Sequence, residues 1–193
     1  MKLETRIKSV EAEIQENKLI LRSKTPLKIL SSAVLNGGLR EANCIVSVHV
    51  PEETGLDIDD DVHRDAGDFL IEETSKLGIP QDQLVGIMTA AKMKNVDIAT
   101  RKFEDITITA IATAGVHFSA TAGDEIASKQ SAFPFKKWGT INIILLVDAN
   151  LTDSCIVNTV CTVAEAKTVA LRELDVRSRF PARSQPELLR TAS

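Results

Sequence analysis

Residues 106–113 read Ile-Thr-Ile-Thr-Ala-Ile-Ala-Thr. The even-numbered positions are Ile or Ala, and threonine stands at three of the odd-numbered ones, so the stretch alternates with the period of two that indicates a half-buried β-strand. Residues 141–147 read Ile-Asn-Ile-Ile-Leu-Leu-Val. Because this second run is nearly all aliphatic, it predicts a central strand buried on both faces. The fold is therefore expected to be built around a β-sheet.

The first fifty residues are also rich in strand patterns. Two apolar runs, at residues 19–21 and 27–30, and a β-branched run from Ile45 to Val50 each indicate a strand. Pro51 stops the last of these strands because proline cannot donate to the ladder.

Two helices are predicted among the strands. The first has an apolar face that ends at Leu77, just before Gly78, and the second starts at Thr152 or Asp153 and runs to about Leu174. Together these elements predict an α/β or α+β fold, a mixed β-sheet with helices packed on it. Residues 1–179 are expected to form a single domain, followed by an irregular C-terminal tail at residues 180–193.

The composition narrows the class of protein. The 193 residues carry a net charge of -4, so the basic face of a nucleic-acid-binding protein is not expected. No apolar run approaches the ~18 residues of a membrane span, and no signal-peptide pattern is present. Cys44, Cys155 and Cys161 are odd in number and lie in apolar stretches, which indicates reduced, buried thiols. We expect a cytoplasmic protein without nucleic-acid or membrane partners, for which a homo-oligomer is compatible with the sequence.

Small residues cluster at four predicted strand ends, where the backbone can approach a ligand and hydroxyl or amide groups can bind it. Ligands bind beyond the strand ends of sheets with helical crossovers, so these turns are expected to line one pocket, although each alone is more often an ordinary turn. The segments are Ser31-Ser32-Ala33 running to Asn36-Gly37-Gly38, Met88-Thr89-Ala90-Ala91, Thr113-Ala114-Gly115 and Gly139-Thr140-Ile141-Asn142.

Lys167 interrupts an apolar helical stripe. A buried ammonium group is costly unless it is paired, so Lys167 is expected to meet a carboxylate or a substrate group, or to extend its amine to solvent. Glu165 lies two residues away on a different face and is not its partner. The stripe consists of Ile156, Val160, Val163, Ala170 and Leu174.

Histidine is scarce, which limits the acid–base chemistry available. Of the three histidines, His117 follows a small-residue segment and is the better candidate for a general acid or base. His49 is predicted on a strand, and His63 follows three aspartates that suit a helix N-terminus better than a metal. No recognised zinc spacing, Gly-x-Ser-x-Gly elbow or P-loop occurs, so no metal site, serine hydrolase of that fold or NTPase is predicted.

Five segments in order resemble the adenosylcobinamide amidohydrolase family. Each is weakly specific, but five of them with suitable gaps between about Leu30 and Val176 are fairly specific. The segments are residues 30–38, 86–91, 113–115, 139–142 with the following aliphatic run, and 165–167 followed by Ala170 and Leu171.

The resemblance implies hydrolysis of the amide that joins the aminopropanol arm of adenosylcobinamide to the corrin ring, which gives adenosylcobyric acid for coenzyme B12 salvage. It implies a corrinoid partner, with cobalt entering only as part of that substrate and no further cofactor.

Candidate residue roles combine these segments with the side-chain chemistry considered above. Lys167, Glu165 and His117 are the candidates for catalysis, and Ser31 and Ser32 are also candidate nucleophiles, although no paired base is visible. The candidates for substrate binding are Ser31, Ser32, Asn36, Gly37, Gly38, Thr89, Thr113, Gly115, Thr140 and Asn142.

The chain departs from the family pattern at two places. Residues 117–120 read His-Phe-Ser-Ala where the family has a nearby Asn-Ala, and the family's closing Thr-Gly-Thr-x-Thr-Asp segment is not written here. The codons of residues 184–191 can also be read in another frame, in which each new codon starts at the third base of the original one. In that frame they can encode Ala-Thr-Gly-Thr-Ala-Thr-Asp. The tail from about Phe180 is therefore predicted to be in a shifted reading frame, and full activity is expected once the frame is restored.

Two other functions stay open at this point. The chain could be a non-catalytic protein that binds a corrinoid or another small ligand, or an amide hydrolase with a different substrate. Turnover of adenosylcobinamide separates both alternatives from the implied activity.

Overall fold

A computed structural model describes residues 1–50, 66–116, 119–122 and 139–178. These residues form a five-stranded sheet, a three-stranded sheet and two α-helices. The strands of the first sheet are β1 (Lys2–Leu3), β2 (Val10–Gln15), β3 (Lys18–Ser31), β4 (Gly38–His49) and β5 (Leu84–Thr89). The strands of the second are β6 (Asp97–Phe103), β7 (Ile106–Ala114) and β8 (Ile141–Val147). The helices are α1 (Ala66–Ser75) and α2 (Asp153–Glu173), with single 3₁₀ turns at Gln81–Gln83 and Met93–Asn95.

The five-stranded sheet follows the chain order from β1 to β5. Its first four strands pair antiparallel, whereas β4 and β5 pair parallel, from Cys44 opposite Leu84 to His49 opposite Thr89. Because the last pair is parallel, the C-terminal ends of β4 and β5 lie side by side at one edge of the sheet.

Strand β3 joins the two apolar runs that the sequence separates. It extends for 14 residues, and its register with β4 shifts between Arg22 and Leu27. A register shift of this kind bends a strand locally. Beyond the shift, residues 27–31 of β3 pair with residues 38–42 of β4, past the residues that pair with β2 and β5.

The second sheet places β7 between β6 and β8. The prediction that residues 141–147 form a central strand buried on both faces is wrong. Among the described residues β8 pairs only with β7, and only Ile144 and Leu146 are buried in it. Its free edge borders a cavity, which an aliphatic run can line as readily as it fills a core.

The strand predicted from the alternation of residues 106–113 is present as β7. The face that carries the threonines is the buried one. Thr109, Ile111 and Thr113 are buried, while Ile106 and Ile108 are 38% and 37% exposed. The inward hydroxyl groups are satisfied: Thr109 Oγ1, for example, donates to the carbonyl oxygen of Thr5 at 2.5 Å. Buried hydroxyls are tolerated when they are hydrogen-bonded, so the period of two predicts the strand and not which face is buried.

Two apolar clusters hold the layers together, one on each face of the five-stranded sheet. Between the sheets, Leu21 and Ile45 belong to the same cluster as Ile111 and Leu146. On the opposite face the cluster includes strand residues such as Val46 and Val48, together with Leu70 of α1, which is completely buried. The expected mixed sheet with packed helices is confirmed as an α+β arrangement, and the single-domain range 1–179 stays a prediction.

Both predicted helices are present. Gly78 follows α1 with a φ of +66°, a left-handed conformation that glycine adopts without strain. Thr152 caps α2, because its Oγ1 accepts a hydrogen bond from the backbone N–H of Cys155 at 3.3 Å.

The burial expected for α2 is wrong. No residue of this helix is buried among the described residues, so Lys167, Cys155 and Cys161 are exposed. The reason is that the apolar stripe of α2 borders the same cavity as β8 and does not pack tightly against a sheet. Only Cys44 matches the expectation of a buried thiol, and burial raises its pKa to about 11.

Helix α2 also bears on the expected absence of a membrane partner. It has 21 residues, and an 18-residue window in it reaches a mean hydropathy of 1.2, so by length and composition alone it could cross a membrane. One such helix is weak evidence, because core helices of globular proteins reach the same hydropathy. The absence of a membrane partner stays a prediction.

Candidate functional site

A group of polar side chains, three of them buried and two partly buried, lies where the C-terminal ends of β4, β5 and β7 meet the start of β8. We call it the polar cluster, and it consists of His49, Thr89, Thr113, Thr140 and Asn142. His49 is directly opposite Thr89, and Thr113 is opposite Asn142. Side chains alternate along a strand, so His49 shares a face with Ile45, which packs against the three-stranded sheet. The apolar layer between the sheets therefore becomes polar at this end.

The first half of the polar cluster is ordered by Thr89. Nδ1 of His49 lies 3.3 Å from the carbonyl oxygen of Thr89. Thr89 Oγ1 accepts a hydrogen bond from the N–H of Ala91 at 3.0 Å and lies 3.4 Å from Thr113 Oγ1. His49, Thr89 and Thr113 are at most 9% exposed, so these groups are largely withdrawn from water.

The second half ties β8 to the end of β5. Asn142 Nδ2 donates to the carbonyl oxygen of Met88 at 2.7 Å, and the N–H of Ala90 donates to Thr140 Oγ1 at 3.4 Å. The N–H of Gly115 donates to the carbonyl oxygen of Thr140 at 2.9 Å. Three of the four small-residue segments thus meet at one place, although they lie 24 to 54 residues apart along the chain.

The fourth small-residue segment lies at the other end of β5. Asn36, with a φ of +58°, donates from Nδ2 to the carbonyl oxygens of Gln81 and Leu84 at 2.6 and 2.9 Å. Gly38 has a φ of +88°, and a Cβ at Gly37 would overlap the carbonyl oxygen of Ala33. These three residues shape the turn between β3 and β4, and the structure does not bring them to the polar cluster.

A large cavity of about 1050 Å³ opens beside the polar cluster. Aliphatic side chains of β3, β8 and α2 form much of its wall, among them Ile29, Ile144 and Val163. Four of the predicted site residues line it: Ser31, Ser32, Asn142 and Lys167. Asn142 belongs to both the cavity wall and the polar cluster, so the two are adjacent.

The structure adds two details of the cavity wall, one at the predicted residue Ser31 and one at Lys28, which was not predicted. Ser31 Oγ is buried with no hydrogen-bond partner among the described residues, and such a hydroxyl is free to bind a ligand. Lys28 Nζ lies 2.5 Å from Asp153 Oδ1 and 3.4 Å from the carbonyl oxygen of Leu151, and so holds the start of α2 against β3.

The remaining predicted site residues lie elsewhere. Glu165 is exposed on α2 and does not line the cavity, and His117 lies outside the described residues. Sequence reasoning placed His49 on a strand but not in the site, because only the parallel pairing of β4 with β5 brings it to Thr89. In the described ranges, no three His, Cys, Asp or Glu side chains are grouped as metal ligands would be.

The fold and site define a class: an α+β protein with a large, mainly aliphatic cavity that adjoins a largely buried cluster of hydroxyl, amide and imidazole groups. A family model described as adenosylcobinamide amidohydrolase matches residues 2–185. The chain therefore belongs to the adenosylcobinamide amidohydrolase family, and the resemblance read from its five segments is confirmed.

The chain is similar to two further proteins, and the second of them bears the family's name. An uncharacterized protein of Methanocaldococcus jannaschii is 30% identical in an alignment of 198 residues, and this alignment covers 95% of this chain and 73% of the relative. An adenosylcobinamide amidohydrolase of Methanosarcina mazei is 33% identical over 142 residues, 74% of this chain and 59% of the relative. The chain therefore spans less than two thirds of the second relative. No solved structure matches this chain.

Proposed function

We propose that this protein hydrolyses the amide between the aminopropanol arm and the corrin ring of adenosylcobinamide. The products are adenosylcobyric acid and aminopropanol, and the acid is available for coenzyme B12 salvage. The observation that carries the proposal is the adjacency of two features: three family segments converge in the polar cluster, which shares Asn142 with a cavity of about 1050 Å³. That volume is just above the range for most small-molecule sites, which is roughly 300–1,000 Å³, and a corrinoid is a large ligand.

The chemistry of the cavity wall suits a corrinoid. A corrin ring is broad and largely apolar on its faces, and it carries amide side chains at its edge. The aliphatic wall formed by residues such as Ile29 and Val163 would bury the ring. Ser31, Ser32 and the Lys167 amine would hydrogen-bond to the peripheral amides. Cobalt enters this site only as part of the substrate, and we assign the protein no cofactor of its own.

Amide hydrolysis needs an activated water, donors for the oxyanion of the tetrahedral intermediate, and a proton for the departing amine. In this proposal the hydroxyl groups of Thr113 and Thr140 act as such donors. Asn142 uses its Nδ2 on Met88, which leaves its Oδ1 to accept a hydrogen bond from the substrate. The N–H of Gly115 is already donated to Thr140, so its part is to fix the turn.

An assay with product detection tests the proposal. The purified chain, and a version whose C-terminal frame is restored, are incubated with adenosylcobinamide and analysed by mass spectrometry. We expect adenosylcobyric acid and aminopropanol to form in a one-to-one ratio. Binding of the corrinoid without product would indicate a binding protein, and absence of both binding and product would indicate an amide hydrolase for another substrate; either result contradicts the proposal.

A further inference from the structure

We propose that His49 is the general base that activates water for this hydrolysis. The inference rests on the proposed function, because it assigns a role within that reaction. It concerns a residue of the polar cluster that none of the family segments contains.

The position of His49 is the first observation. It is the last residue of β4, it lies directly opposite Thr89, and it is 9% exposed. Three family segments reach the same place through Thr89, Thr113 and Asn142. The imidazole contacts Thr89 directly, and Thr89 is the residue through which it joins the rest of the polar cluster. A base is useful only where the substrate amide is held, and the proposed function places that amide at the polar cluster.

The hydrogen bond made by Nδ1 is the second observation. The partner of Nδ1 is the carbonyl oxygen of Thr89, at 3.3 Å. A carbonyl oxygen can only accept, so Nδ1 carries the proton in the neutral ring and Nε2 keeps its lone pair. A backbone contact of this kind sets the tautomer and the ring orientation, and it makes Nε2 the nitrogen that can take a proton from water.

The chemistry of the neighbouring side chains is the third observation. The other members of the polar cluster are three threonines and an asparagine, and neither type accepts a proton near neutral pH. The imidazole is the one group of the polar cluster, as defined, that can serve as an acid or a base. A histidine with only a structural role would need its Nδ1 hydrogen bond and not its Nε2 lone pair, and a substitution that keeps the first and removes the second tests this difference.

The step balances with water as the only co-reactant. Nε2 of His49 removes a proton from water as the water oxygen forms a bond to the amide carbon. The tetrahedral intermediate then collapses and breaks its C–N bond, and the imidazolium returns the proton to the departing amine nitrogen. The products are a corrinoid carboxylic acid and aminopropanol, and no electron transfer is involved.

The substitution His49→Asn separates the two roles. The Asn amide nitrogen occupies nearly the position of Nδ1 and keeps the donor to Thr89, but nothing replaces Nε2. We expect kcat to fall at least about 100-fold, since general-base catalysis contributes ~10²–10⁴-fold, while the dissociation constant for adenosylcobinamide changes less than about threefold. His49→Gln, which cannot act as a base either, should give the same loss and serves if the first variant does not fold.

Ser47→Ala is the matched control. Ser47 is 1% exposed, two residues earlier on the same face of β4, and its hydroxyl has no hydrogen-bond partner among the described residues. Its removal should leave both kcat and the dissociation constant unchanged. Turnover by folded His49→Asn or His49→Gln within about threefold of the parent would overturn the role of His49. A parent that does not bind adenosylcobinamide, or that releases no adenosylcobyric acid, would overturn the proposed function instead. All variants are made in whichever parent gives the higher turnover in the product assay, the chain as written or the chain with the restored C-terminal frame.

Discussion

Lys167 stands at the point where an aliphatic helical stripe meets the cavity wall. Its side chain is exposed and lines the cavity, so its amine is not buried among apolar groups as the sequence suggested. Of the three alternatives that the sequence left open for the Lys167 amine, extension to solvent and contact with a substrate are compatible with each other at this position. We therefore expect Lys167 to contribute to substrate binding more than to stability.

The substitution Lys167→Met tests this. We expect the free energy of unfolding to change by less than about 0.5 kcal/mol, as is usual for exposed positions, while KM for adenosylcobinamide rises and the fold is unchanged. Thermal unfolding and steady-state kinetics measure the two effects. The control is Lys102→Met, at an exposed lysine of β6 that does not line the cavity. Equal KM values for the two variants and the parent would leave Lys167 with no part in binding.

At the scale of single residues, the sequence predicted the hydroxyl and amide groups of the site better than its imidazole. Thr89, Thr113 and Asn142 stand in segments of small residues at strand ends, and that local signal is visible without a structure. His49 stands at the end of an ordinary β-branched strand. Its part depends on which strand pairs with β4, and pairing is a long-range property that a local pattern does not contain.

At the scale of elements, a largely buried ion pair joins β3 to α1. Lys18, the first residue of β3, has a side chain only 9% exposed, and its Nζ lies 2.7 Å from Glu73 Oε2. Glu73 also accepts a hydrogen bond from Lys76 Nζ at 2.6 Å. Hydrogen bonds from Lys18 and then from Lys76 hold the pKa of Glu73 below its ordinary value of 4.5.

The substitution Lys18→Met should therefore destabilise the protein. We expect the free energy of unfolding to fall by about 2 kcal/mol, the scale of a buried hydrogen bond to a charged group. Lys76→Met should cost less than about 1 kcal/mol, because Lys76 is 57% exposed. Urea unfolding measures both values, and an equal cost for the two variants would contradict the importance of burial.

The same pair has a defined pH dependence. The folded-state pKa of Glu73 is depressed, so its stabilisation is complete above the unfolded value near 4.5 and is lost as the pH falls through the folded value. The gap in stability between the parent and Lys18→Met should be constant near neutral pH and should narrow below about pH 4.5. A gap that stays constant down to pH 3 would show that Lys18 stabilises by packing alone.

Elements were predicted well where a local pattern decides them and poorly where packing does. The cap at Thr152 and the turn at Gly78 are local, and the structure confirms both. The burial of β8 and α2 depends on what lies opposite them, and the same aliphatic residues serve for a filled core and for a cavity wall. Strand β6 was missed because its mostly exposed side chains give it no clear alternation.

The whole chain carries one further prediction, which concerns its end. Residues 180–193 lie outside the described residues, and their reading in the third-base frame can supply the family's closing segment. We expect the chain as written to turn over adenosylcobinamide weakly, and a chain with the restored frame to be at least tenfold faster. Sequencing of the encoding DNA decides first, because third bases that cannot spell Ala-Thr-Gly-Thr-Ala-Thr-Asp would rule the shift out.

The order of the strands has a consequence for folding. Strands β1 to β4 and strands β6 to β8 each pair with their neighbours in the sequence, so both meanders can nucleate locally, with a small loss of loop entropy. The polar cluster needs contacts such as His49 with Thr89 and Met88 with Asn142, which close over 40 and 54 residues. A molecule with both meanders formed but not docked would therefore have most of its β structure and none of its site. Local opening between the two sheets, rather than global unfolding, is then the event that sets the lifetime of the binding-competent state.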